Sequence, residues 1–396
     1  MKCKVTGKKI DPFMSFGRMP IANGFLNKDK FNEEFFFEME VGFSDDLSLF
    51  QLNDHPKPTM MFNENYPFFT GSSQQMKLHF NNYANWIKKY HPNTIKNIIE
   101  IGSNDGTFLK NFNSNDYNTL GFEPSNNVAE RASKDGVNTI NEFFNKNSVI
   151  NQKNFINNTD LICAANVICH VPDLNDLIQA VCLMLNKSGL FIFEEPYLGS
   201  MFEKISYDQI YDEHIFMFSV TSVSKIFKLF DMEIVDVFPQ TTHGGSMRYI
   251  TGRKNIHKIS DNVNTLLEKE KLKNLDNISS CNKFKNNCEL SKIKTRKSLL
   301  KFKDNNYKIA GYAATSKSTT ILNYCNINNK IIDYICDTTP EKIGKFSPGT
   351  HIPIVDMHHF KKFNPDVAYL FAWNHKDEIL KKEKNYKGKW FSHVAL

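Results

Sequence analysis

Asn97-Ile98-Ile99-Glu100-Ile101-Gly102-Ser103-Asn104-Asp105-Gly106 is an apolar run that ends beside an acid and breaks into a glycine turn. An unbroken apolar run before a glycine reads as a buried strand entering a tight turn and a helix. Two glycines let the backbone approach a ligand closely. A dinucleotide loop would need Gly-x-Gly-x-x-Gly, with backbone N–H groups free to hold a pyrophosphate. Here the spacing is Gly-x-x-x-Gly, with Glu100 and Asp105 beside it. Carboxylates repel a pyrophosphate and suit a cation. The cationic cofactor that carries a ribose and no phosphate is S-adenosylmethionine. Its methionine end would meet Glu100 or Asp105, and Gly102, Asn104 and Gly106 would form the loop.

The neighbouring segments agree. A second strand at 119–123 ends in Glu123, where doubly wound folds place a carboxylate for the ribose hydroxyls. The bland reading of Glu123 is a helix N-terminal acid before Pro124. Glu142 and Phe143 follow the next short strand and would meet the adenine, although Phe143 and Phe144 read equally well as core. A third apolar run, 160–165, ends at Ala165. Helices are expected at 74–90, 106–112, 126–134, 174–185 and 221–230. A strand is expected at 190–194, and a hairpin at 233–238 and 247–251. Alternating strands and helices predict an α/β fold with a mostly parallel, doubly wound sheet closed by an antiparallel hairpin.

The flanks differ. Residues 1–75 read as a small irregular domain with strand-like pieces at 34–41 and 48–52. Residues 258–303 are rich in Lys and Asn but keep an apolar stripe, which predicts one or two connecting helices. A second Rossmann-like unit follows, with strands at 307–312, 330–336 and 367–371 and helices at 318–325 and 377–384. The expected domains are 1–75, 76–255 and 256–396. Gly311-Tyr-Ala-Ala-Thr315-Ser316-Lys317-Ser318 is similar to a phosphate loop but has Ser316 where the glycine before lysine belongs. An NTPase reading is therefore weak. A glycine turn, hydroxyls, Lys317 and a helix N-terminus still make a seat for a diphosphate.

Composition narrows the function. The chain has 396 residues, with 49 Lys+Arg against 43 Asp+Glu. The lysines are scattered among asparagines rather than gathered in a stripe, so no nucleic-acid partner is expected. No apolar run is long enough to span a membrane, and Met1–Gly7 opens without a signal-peptide core. A cytoplasmic protein is expected. The eight cysteines form no Cys-x-x-Cys pair, and a disulfide framework is not expected.

Catalytic residue types gather after the strand at 190–194. Tyr211-Asp212-Glu213-His214 puts a phenol, acids and an imidazole together, and His170 follows the third strand. Histidine is the natural general base near neutral pH. The bland readings are packing for Tyr211, a surface acid for Glu213 and a satisfied core histidine for His214. A metal cluster at 212–214 has no second run of ligands to support it, so no metal is expected.

The ordered set of motifs carries a resemblance. It comprises Tyr66-Pro67, Gly71-Ser72-Ser73, Glu100–Gly106, Gly121-Phe-Glu-Pro-Ser125, Ala164-Ala-Asn-Val-Ile-Cys-His170, Glu195-Pro-Tyr-Leu-Gly199 and Asp208–His214. It continues with His243-Gly-Gly-Ser-Met-Arg-Tyr249, Gly311–Ser318, Asp337-Thr-Thr-Pro-Glu341, Pro348–Pro353 and Phe371-Ala-Trp-Asn-His375. The whole chain resembles the sugar C-methyltransferases that act on nucleotide-linked 4-keto deoxysugars. The resemblance implies a small N-terminal domain, a class I S-adenosylmethionine-dependent methyltransferase domain and a Rossmann-like C-terminal domain. The sugar nucleotide would lie between the last two. His214 would be the base, with Tyr211, Glu213, His170 and Tyr66 around the sugar. Ser72, Ser73, His243 and Arg248 would line the substrate site. So would Thr315, Lys317, Ser318, Asp337, Asn374 and His375. The alternatives are an O- or N-methyltransferase on a sugar nucleotide, or a non-catalytic binder of one.

One departure concerns metal. The family's N-terminal domain carries two Cys-x-x-Cys pairs on zinc. Here those positions hold Cys3, Thr6, Ser44 and Leu47. Hydroxyls and an alkyl chain do not make a thiolate site, so zinc is not expected.

Overall fold

The computed structural model describes residues 1–64, 66, 68–91, 95–112 and 114–396. Pro67, one of the motif residues, lies outside the described residues.

The strand Asn97–Ile101 lies inside a seven-stranded sheet. It pairs in parallel with Asn118–Phe122 on one side and with Thr159–Ala165 on the other. From one edge to the other, the order is Thr139–Ile140, Asn118–Phe122, Asn97–Ile101, Thr159–Ala165, Leu185–Pro196, Ser246–Arg253 and Met232–Gln240. The last two form the expected antiparallel hairpin, with Ser246–Arg253 laid beside Leu185–Pro196. Ile98 and Ile99 are fully buried. Helices cover both faces of such a sheet, so its strands read as apolar without alternation. Strand order reverses at Asn97–Ile101, and ligands bind in the crevice outside the strand ends at such a point.

The helix expected over 106–112 is a correction. Only a 3-10 turn forms, at Leu109–Phe112. Gly106 has φ +74°, and the Asp105 carboxylate accepts from Thr107 N and Oγ1, which holds this stretch as a loop.

The N-terminal residues are more regular than expected. Strands Pro12–Pro20, Phe36–Ser44 and Leu49–Leu52 form an antiparallel sheet, and Phe216–Met217 supplies its fourth strand. Register shifts interrupt Pro12–Pro20, which erased its period-two signal. The fourth strand begins two residues after His214, so the loop that carries His214 is continuous with the N-terminal sheet.

The C-terminal unit is a five-stranded parallel sheet. Its order is Ile354–Val355, Tyr334–Cys336, Ile309–Tyr312, Val367–Leu370 and Lys389–Phe391. Two helices, Asp261–Leu272 and Ile278–Asp304, make the connection. Buried Glu270 fixes the first of them by accepting from Val220 N, Thr221 N and Oγ1 and the Tyr197 hydroxyl. One apolar core joins Phe50 of the N-terminal sheet, Tyr207 and Ile210 of the catalytic loop, Phe284 of the long helix and Tyr369 of the C-terminal sheet. Groups carried by the three sheets are thus held in a common frame. No helix among the described residues is long and apolar enough to cross a membrane.

Candidate active site

The glycine loop forms a cradle at the strand ends. Gly102 has φ +66°, and a Cβ there would lie 2.5 Å from Val167 Cγ2. Among the described residues, buried Glu100 Oε2, Ser103 Oγ and Asn166 Oδ1 have no hydrogen-bond partner. Burial first, then Asp105 and Glu123, pushes the Glu100 carboxyl well up. Glu123 is fixed by two backbone donors, Ser125 N at 2.7 Å and Asn104 N at 3.1 Å. Burial raises its carboxyl, and those N–H groups oppose the rise. Phe143 presents an exposed ring while Phe144 packs on Phe122, and Glu142 is exposed. Ala165 ends its strand opposite Glu194. Unpartnered acceptors beside a cradle that admits no side chain fit a cationic cofactor.

Asn104 and Asp105 are engaged elsewhere. Asn104 Oδ1 accepts from Thr70 N and Asp105 Oδ2 from Gly71 N, both at 2.8 Å. They hold the turn Thr70–Ser72 over the loop. A Cβ on Gly71 would meet Asp105 Oδ2 at 2.7 Å, which explains the glycine. Ser72 and Ser73 lie in this stretch, but their hydroxyls serve the backbone. Ser72 donates to Phe69 O, and Ser73 caps the helix Gln74–Tyr90.

The catalytic residue types converge beyond the cradle. His214 Nδ1 lies 2.7 Å from Gln209 O, and its Nε2 lies 2.7 Å from the Tyr211 hydroxyl. A carbonyl only accepts, so Nδ1 carries the proton, and the neutral ring then accepts from Tyr211 at Nε2. Burial, then the neighbouring His170, holds His214 well below the usual imidazole range. The His170 ring stacks on it at 5.3 Å, and its own buried Nε2 has no hydrogen-bond partner among the described residues. Burial lowers His170 to about 4. Burial, reinforced by Glu213, raises Tyr66 and Tyr211 well above the phenol range. Asp212 and Glu213 are buried side by side, and both carboxyls lie well above the carboxylate range, Asp212 through burial and its acidic neighbour, Glu213 through burial.

Other groups were missed in the sequence. Glu195 Oε1 accepts from Val167 N and Ile168 N and so fixes the turn that carries His170. Burial raises Glu195 to about 7. Lys342 lies over the Phe25 ring and donates to Ala314 O. Asp208 accepts from Trp373 Nε1 at 2.7 Å, and Trp373 covers Gly244 so closely that a Cβ there would strike the indole. Trp373 and Asp208 stand inside motifs that carry the resemblance, which was their signal.

The expected substrate residues divide into two groups. Lys317 is half-buried, and among the described residues its ammonium has no hydrogen-bond or ion-pair partner. His243 and His375 are near enough to feel its charge. Burial, then Lys317, holds His243 at about 3 and lowers His375. His375 also pairs with Gln75, and Asn374 shares its turn. The remaining residues are committed to structure. Thr315 caps the helix Ser316–Tyr324, and Ser318 donates back to Thr315 O. Asp337 accepts from Ala314 N and Thr339 N. Arg248 is stacked on Tyr83 and Trp86 and paired with Glu194, which also meets His79 at 2.7 Å. The charge of Arg248, which is expected to line the substrate site, is already met inside the fold.

Among the described residues, neither candidate metal site has a donor set that is both complete and free. Cys3 is packed with Val5, Leu47 and Leu49, and Thr6, Ser44 and Leu47 complete no thiolate set, so zinc does not fit. Cys169, His170 and His214 offer donor atoms within 4.8 Å of one another. The His214 Nε2 lone pair, however, is used by Tyr211, and Nδ1 by Gln209.

A seven-stranded sheet with this order and an inserted antiparallel strand, carrying this cradle, defines a class I S-adenosylmethionine-dependent methyltransferase. Three family models match in series: "Putative zinc binding domain" over 3–62, "Methyltransferase domain" over 77–237 and "C-methyltransferase C-terminal domain" over 241–394. The chain is 26% identical over 390 residues to the C-methyltransferase NovU of Streptomyces niveus, covering 97% of this chain and 92% of that one. It is an S-adenosylmethionine-dependent C-methyltransferase similar to NovU. Solved structures align with less than half of it. A Pyrococcus horikoshii OT3 protein gives a TM-score of 0.38 at 16% identity, over 47% of this chain and 95% of its own. An S-adenosylmethionine-dependent methyltransferase from Clostridium acetobutylicum ATCC 824 gives 0.35 at 11%, over 47% and 94%.

Proposed function

We propose that the enzyme methylates a carbon next to the ketone of a nucleotide-diphosphate 4-keto deoxysugar. The observation that carries this reading is the neutral Tyr211–His214 pair, oriented by Gln209 and set beside the free Nε2 of His170. A carbon beside a ketone has an acidic C–H, and a neutral imidazole suits its removal. S-adenosylmethionine, which Gly102, Glu100 and Glu123 would hold, would supply an electrophilic methyl group and leave as its demethylated thioether.

The remaining steps belong to the chain's own residues. The proton leaves the carbon for the Tyr211–His214 pair and comes to rest on His214 Nε2. The electron pair moves onto the ketone oxygen, where His170 donates a hydrogen bond, as an oxyanion donor does. These residues thereby present a nucleophilic enolate carbon, which the electrophilic methyl group would alkylate. Burial around Tyr66 and Tyr211 excludes water that would quench the enolate. Lys317, at the N-terminal turn of its helix, faces the diphosphate. An anionic substrate accounts for a cation that has no partner among the described residues and stands near two neutral histidines.

Mass spectrometry after offering thymidine-, CDP- and GDP-linked 4-keto sugars with the cofactor tests this. One methyl gain, located on carbon by NMR, is expected. Methyl on oxygen or nitrogen, or no transfer to any of the panel, overturns the reading.

A further inference from the structure

The segment Ala22–Phe25 leaves the N-terminal sheet and runs between the catalytic loop and the C-terminal unit. Ala22 N donates to Asp212 Oδ1 at 2.9 Å, and Ala22 O accepts from Thr319 Oγ1 at 2.8 Å. Asn23 Nδ2 donates to Glu213 Oε1 at 2.8 Å, and Asn23 Oδ1 accepts from Ser316 Oγ at 3.0 Å. Phe25 lies under Lys342 at 4.8 Å from the ring centre. Two consecutive residues, Ala22 and Asn23, thus touch both the acid pair beside His214 and the helix that carries Lys317.

We propose that Asn23 is a positioning residue of the active site: its amide fixes the Glu213 carboxylate and, through Ser316, sets that carboxylate's distance from the Lys317 helix. The amide suits this role because it offers a donor on one side and an acceptor on the other. An aspartate there would repel Glu213, and an alanine would leave Glu213 Oε1 buried without its donor. This gives the N-terminal unit a catalytic purpose that does not depend on zinc. It also explains why the catalytic loop runs on into the fourth strand of that sheet, where Leu52 N donates to Ile215 O at 2.8 Å.

The electrostatic surroundings of Glu213 are mixed. Asp212 lies beside it, Lys342 faces it from the C-terminal unit, and the neutral phenols of Tyr66 and Tyr211 and the Cys169 thiol are near. Burial raises the carboxyl, and the Asn23 bond with Lys342 opposes that rise. Removing the amide should therefore move Glu213 further up.

The place of Glu213 beside the sugar rests on the proposed reaction, so the test is made first without substrate. Carbon-13 carboxyl NMR of the full chain, with the Glu213 signal assigned by its loss in Glu213→Gln, follows the Glu213 titration. In Asn23→Ala the midpoint should rise by about one unit or more in a protein that stays folded through the titration, and Asn23→Gln should recover part of it. An unchanged midpoint in a folded Asn23→Ala protein overturns the proposal. If Asn23→Ala fails to fold, the milder Asn23→Ser carries the same test. With an accepted substrate, kcat should fall while cofactor affinity stays constant. Failure of every substrate would leave the titration result standing and count against the reaction alone.

Discussion

The Tyr211 hydroxyl lies 2.7 Å from His214 Nε2, whose other nitrogen is 2.7 Å from a carbonyl that can only accept. The pair is locked in one tautomer, with the lone pair pointing at the phenol. Replacing His214 with Ala should cut turnover by about 10²–10⁴-fold, the usual contribution of a positioned base. Cofactor binding, read by calorimetry, should persist. Full turnover in that variant would remove His214 from the proton path.

Gly102 is needed for the cradle's shape. Its φ is +66°, and a Cβ would press into Val167. Gly102→Ala should abolish cofactor binding in equilibrium dialysis. Gly17, at φ +76° with nothing within 4 Å of its Cβ position, is the control for backbone strain alone. Gly17→Ala should cost about 1–2 kcal/mol of stability and leave binding intact.

Lys317 should matter to the anionic substrate only. A charge-assisted hydrogen bond contributes about 1.5–3 kcal/mol, so Lys317→Met should raise KM for the sugar nucleotide about 10- to 100-fold. The dissociation constant for the cofactor should not change. Equal losses in both would place Lys317 elsewhere.

Asp212 carries a pH signature. Its folded carboxyl is raised by burial and by Glu213, so the native state holds its proton at pH values where the unfolded chain has lost it. Stability contributed here falls as pH rises from the usual carboxylate range through the raised one. Asp212→Asn keeps an acceptor for Ala22 N and removes the charge. Urea unfolding should show the variant gaining on the wild type between pH 5 and pH 9. His170 and His243, lowered by burial, lose stability as pH falls below the imidazole range, and that effect is common to both proteins. A difference independent of pH would show that Asp212 is not raised.

Zinc should play no part in the N-terminal sheet. Only Cys3 of the expected thiolates is present. Chelation should leave the thermal midpoint unchanged, and elemental analysis of protein purified without added metal should find far less than one zinc per chain.

The sequence showed what is continuous along it. Ile98–Ile101 read as a strand because both sheet faces are covered, and Glu123 followed at the end of the next strand. The tight clusters around His170 and His214 were visible because each is a single stretch. What escaped depends on distant partners. Asn23 meets Glu213 across 190 positions, and Phe216–Met217 shows no strand pattern until Phe50 and Gln51 pair with it. The partners of Arg248, the rings of Tyr83 and Trp86 and the Glu194 carboxylate, lie on other elements and leave no trace in the sequence around it. Thr315, Ser318 and Asp337 carried residue types suited to phosphate or ribose. Those same types cap helices and turns, and no spacing tells the two uses apart.

The most direct measurement is deuterium exchange of an accepted nucleotide 4-keto sugar in D2O, with the enzyme loaded with demethylated cofactor so that transfer is blocked. The account predicts exchange at one carbon beside the ketone with the wild type and none with His214→Ala. Methyl transfer by the active enzyme to a substrate that shows no such exchange would contradict it.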